Sequence, residues 1–233
     1  MNFYLKSVLM FALIGIMGVT QTPTYAQLGG LLKKKSNDSG GATISKDALG
    51  KSTDEALENV LAARIVLLAA KKLMMEAVGV KTDSVVKASE ALQAKSGSTS
   101  EKVKTLETSS KTTAAADKEF EEKMASSKEL SAESKIKFSE GTAKFVEGIL
   151  LEKKQIETII QLVKQGQSLV QSASPLEKVG VLSMVKPLTT MSTAVPGDVK
   201  EGMATLSKIT AFAKNQKISV PSAEKANSGV GEL

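Results

Sequence analysis

The chain has 233 residues, a formal charge of +6, and no cysteine, histidine or tryptophan. Those absences exclude histidine-based triads, thiol nucleophiles and Zn or Cu sites. Asp, Glu, Lys, Ser, Thr and a single arginine, Arg64, are left to do any chemistry. Both tyrosines, Tyr4 and Tyr25, lie near the N-terminus, so the chain beyond them has four aromatics: Phe120, Phe138, Phe145 and Phe212. That is too few for a sugar- or base-stacking platform. The basic excess is carried by lysines scattered beside glutamates, whereas phosphate and base recognition favours the forked guanidinium of arginine. Nucleic acid is therefore not an expected partner.

Lys6 precedes an apolar run, Val8–Val19, too short to span a bilayer comfortably, and Thr24-Tyr25-Ala26 places small residues at the third and first positions before a cut. Residues 1–26 read as a cleaved secretory signal peptide, with a secreted or periplasmic product beginning at Gln27. Without cysteine, that product has neither a lipid-modified N-terminus nor disulfides, and its stability rests on packing. Residues 27–51 read as a flexible leader: Gly29, Gly30, Gly40 and Gly41 surround a Ser-rich stretch. Leu28, Leu31 and Leu32 with Lys33–Lys35 are too few for stable lipid anchoring and read as a solvated arm.

The central element is Ser52–Val78. Ser52 and Glu55 make a capping-box pattern, Asp54 and Glu55 suit the positive end of a helix dipole, and Gly79 suits a left-handed terminating residue. Val60, Leu61, Ile65, Val66, Leu67 and Leu68 leave almost no polar face, so this helix must be covered on most sides. A second helix is expected from Asp83, with Val85, Ala88 and Leu92 inward. Ser98 and Glu101 repeat the capping box before a Ser/Thr/Ala/Lys/Glu-rich helix from Ser100 to about Leu130. Its apolar stripe is thin (Val103, Leu106, Ala114, Phe120 and Met124), so it is the expected weak point of the bundle.

Ser131–Gln171 carries Phe138, Phe145, Ile149, Ile156, Ile159, Val163 and Val170 at multiples of three and four, with Gly141, Gly148 and Gly166 inviting close backbone approach. Ser174-Pro175-Leu176-Glu177 is a strong helix start. Pro187 is expected to kink or end that helix, and Pro196-Gly197 to turn the chain into a last helix starting at Asp198. Residues 217–233 read as a loose tail. No strand pattern persists.

The expected fold is thus all-α: an elongated antiparallel bundle of four or five helices over residues 52–216. No catalytic, cofactor-binding or metal-binding residues stand out, and an enzyme would need a convergent Lys–carboxylate cluster in a closed pocket. Arg64 is the one residue that demands an explanation, because its neighbours three and four positions away, Val60, Leu61, Leu67 and Leu68, include no carboxylate. A buried guanidinium needs an acid from another helix. Glu152, which interrupts an apolar seam, is the natural partner and Glu147 the second; the plainer alternative is an arginine snorkelling at the bundle edge. The expected function is non-enzymatic, working through helix-face contacts with a protein partner or a second copy. The less favoured alternative is a membrane-active bundle whose apolar helices, at Val60–Ala70 and Val179–Val185, rearrange to make peripheral contact with lipid.

Overall fold

A helix closes the backbone's hydrogen bonds within itself, and apolar residues at three- and four-residue spacing let it bury one face at the same time; all the regular structure here follows that rule. The computed structural model describes residues 44–94 and 97–221. Among them are five helices and no strand: α1 (Lys46–Ala77), α2 (Asp83–Gln93), α3 (Thr99–Ser126), α4 (Ala132–Ser172) and α5 (Pro175–Asn215). The signal peptide, most of the leader and the end of the tail expected from the sequence lie outside the described residues.

Pairwise contacts fix the direction of each helix. Along α1 and α4, Leu49 meets Gly166, Leu67 meets Gly148, and Ala70 and Met74 meet Gly141, an antiparallel register. Along α4 and α5, Gly166 meets Val185 and Ile149 meets Gly202, also antiparallel. The α1–α5 pairs, Gly50 with Met184 and Arg64 with Asp198, run in parallel. So do the α1–α3 pairs, Asp54 with Thr99, Glu58 with Lys102 and Lys71 with Asp117. The chain therefore runs up and down, with α1, α3 and α5 pointing one way.

Two glycines of α4, Gly141 and Gly148, explain why α1 and α4 form the tightest seam. A Cβ on Gly141 would stand 2.9 Å from the backbone oxygen of Ala70, and one on Gly148 would stand 2.6 Å from Leu67 Cγ. Hydrogen at these positions lets the two backbones approach. The core fills the remaining space: Leu57, Val60, Met74, Met75, Ile149, Ile159, Leu188 and Met191 are buried. At one end Phe138 stands between Phe120 and Phe212, with ring centroids 6.4 and 5.0 Å away. Gln216 closes that end by accepting from the Leu130 amide and donating to the Lys128 carbonyl.

Several boundaries differ from the sequence expectation. Helix α1 starts at Lys46 rather than near Ser52: Ser45 caps it by accepting from the Ala48 amide, and the added turns bury Leu49 completely. Ser52 becomes a mid-helix residue, because apolar burial outweighs an optional cap. Helix α5 continues through both Pro187 and Pro196 as one 41-residue helix. Each proline removes an amide donor and costs the interior of a helix about 3 kcal/mol. The buried series Val181, Val185, Leu188, Met191, Val195 and Val199 nevertheless keeps its period across both. In α3, Ala114 points outward and Ala116 takes the inward position. The tail is tied down over its first residues: Lys217 takes a left-handed conformation (φ 55°), Ile218 donates to the Ala213 carbonyl, and Ser139 donates to Ser219.

Candidate functional site

Arg64 lies in the middle of α1, which is apolar on both sides of it, so its long side chain can leave only by running between helices. It reaches a different one with each part of the guanidinium. Nη2 pairs with Asp198 of α5, Nη1 donates to Ser110 of α3 at 3.4 Å, and Nε stands 3.1 Å from Glu152 Oε1 of α4. The planar five-donor head makes this possible; an ammonium would offer one point of charge. Arg64 is 8% exposed and Glu152 fully buried, while Glu147 points to solvent.

Glu152 is the strained member of the group. Its Oε1 is close to Arg64 but off the N–H axis, so neither of its oxygens accepts a hydrogen bond from any described residue. Burial raises its pKa above the ordinary glutamate value; the positive charges of Arg64 and Lys71 pull the other way and do not overcome it. Asp198 accepts from Arg64 Nη2 and is partly exposed. Sequence reasoning missed Asp198 because Pro196-Gly197 looks like a turn and Asp198 like the cap after it. In the continuous helix it lies between Val195 and Val199 on the inner flank, where it meets Arg64.

A second pair extends the cluster two turns along α1. Lys71 contacts Asp117 of α3 at 2.9 Å, and Thr113 donates to the same carboxylate. Between α1, α3 and α5 these side chains border an open cleft of about 170 Å³ whose walls include Arg64, Lys71, Ser110, Asp117, Asp198 and Thr205. Its two cations are already held by carboxylates. Among the described residues, no group of three acidic side chains is placed to hold a metal ion. The cluster binds helices to one another: one guanidinium on α1 touches the three other long helices.

Glu101 and Glu177, each reaching back to the serine that starts its helix, are acidified by those hydrogen bonds. They are local caps outside the cluster. Comparisons of this chain with protein-family models, with curated proteins and with solved structures return no match.

Proposed function

We propose that this protein is an exported, non-enzymatic helical bundle that acts through protein contacts made by its helix faces, in a structural or envelope-associated role. The observation that carries the reading is the way α3 is attached. Its inward face pairs five apolar residues, Val103, Leu106, Ala116, Phe120 and Met124, with the polar Ser109 and Thr113. Much of the rest of its attachment is polar: Lys102 to Glu58, Asp117 to Lys71, Glu121 to Lys208, and Thr99 to Asp54. Partly exposed pairs of that kind contribute about 1 kcal/mol or less each. A helix held this way, lying over an open cleft, is the element of the bundle best suited to meeting a partner helix. The composition supports the same reading, since histidine and cysteine, two residues that enzymes use widely for acid–base and nucleophilic work, do not occur in the chain.

The test places a photo-crosslinking residue at the outward positions Lys104, Lys111 and Ala115 of α3, with Lys154 of α4 as the control. The expected result is one cross-linked species, either a partner from the envelope fraction or a second copy, from the α3 positions alone. A monomer at every concentration that cross-links to nothing overturns the proposal.

A further inference from the structure

The first turns of α5 are apolar on the side that faces water. Leu176, Val179 and Leu182 are 93%, 74% and 52% exposed. Steps of three residues align them on the face opposite the buried Val181, Val185 and Leu188. A helix apolar on both faces has a second face suited to another apolar phase. The surrounding charge is equally local. Between Glu157 and Asp198 the chain carries three lysines, Lys164, Lys178 and Lys186, and a single acid, Glu177, which caps its own helix. The other described residues carry twenty-two basic and twenty-one acidic side chains. The segment that exposes leucine and valine therefore holds two of the three net positive charges of the described residues.

We propose that this end docks on an anionic lipid surface, with Leu176, Val179 and Leu182 entering the headgroup–acyl boundary and Lys178 and Lys186 resting on lipid phosphates. Charge decides for lipid over a second copy. In a symmetric dimer the same lysines would face each other, and three side chains offer far less than the roughly 800 Å² per partner of a stable interface. Shallow insertion needs only a few apolar side chains flanked by lysines. Among the described residues no helix is long and apolar enough to cross a membrane, so the contact is peripheral. It requires no unfolding of the buried α1, and it is independent of the α3 surface.

Flotation with vesicles tests it directly, comparing equimolar phosphatidylglycerol and phosphatidylcholine with phosphatidylcholine alone, at low and high salt. The protein is expected to float with the anionic vesicles, weakly with the neutral ones, and less as salt rises. The variant Leu176→Ser/Val179→Ser/Leu182→Ser and the variant Lys178→Glu/Lys186→Glu should each weaken binding about tenfold or more. Helical circular dichroism should not change, because all five side chains are exposed. The proposal is overturned if the wild-type protein ignores anionic vesicles. Binding that survives both variants, or that is lost only with Lys33→Glu/Lys34→Glu/Lys35→Glu, also overturns it. So does a dimer in the wild-type protein that the triple serine variant abolishes, since the face then belongs to a second copy.

Discussion

Helices α4 and α3 are both long, both cover α1, and are attached by opposite means. Helix α4 meets α1 through glycines and apolar side chains, with backbones so close that a methyl group does not fit. Helix α3 meets α1 through lysine–carboxylate pairs and serine or threonine hydroxyls, with a cleft left between them. Close packing is non-negotiable in volume but insensitive to salt; polar attachment tolerates substitution and is screened by ions. The bundle thus has a rigid seam and a detachable cover, and Arg64 engages both.

The largest expected effect breaks that junction. Arg64→Met leaves Glu152 buried without a counter-charge and should cost about 3–5 kcal/mol. Arg64→Met/Glu152→Met should recover much of the loss in urea denaturation; no recovery would mean that the pair with Asp198 carries the whole effect. Next, Gly148→Ala or Gly141→Ala should cost about 1–3 kcal/mol by overpacking the seam, while Gly197→Ala, with open space around it, should stabilise by up to about 1 kcal/mol. Equal effects at Gly148 and Gly197 would remove the distinction between seam and surface.

The cover is expected to respond weakly. A double-mutant cycle on Lys71 and Asp117 should give a coupling of at most about 1 kcal/mol, shrinking with salt. A coupling of several kcal/mol would place α3 in the rigid part of the molecule. A pH series sharpens the role of Glu152. Its folded pKa is raised, so the folded protein holds the proton more tightly than the unfolded chain does. The resulting stabilisation is fully present below the ordinary value of 4.5 and is lost as pH rises through the folded pKa. Relative to Glu152→Gln, the wild-type protein should therefore lose stability as pH rises above that value. The opposite slope would mean that Arg64 outweighs burial.

Local signals in the sequence were enough to read much of this architecture. Ser98 with Glu101, Ser174 with Pro175 and Glu177, and Gly79 with its positive φ mark helix ends by chemistry that acts within a few residues. The demand of Arg64 for a distant acid was also legible, because an arginine amid leucines has no local remedy. The errors fall where tertiary burial overrides a local preference. Leu49 pulls the start of α1 back past a good cap, and a continuous buried stripe carries α5 through two prolines. Asp198 was hidden by the same proline, since a residue read as a cap is not searched for as a partner. The exposed leucines of α5 escaped for a different reason: periodicity shows that a face is apolar, and only neighbours in space show that it is left uncovered.

Having a single arginine gives the molecule a built-in reporter. A dicarbonyl reagent selective for guanidinium has one target among thirty lysines, and that target is largely buried and held by carboxylates in the assembled helices. The rate at which it is consumed therefore counts openings of the bundle, with no label added and no residue changed.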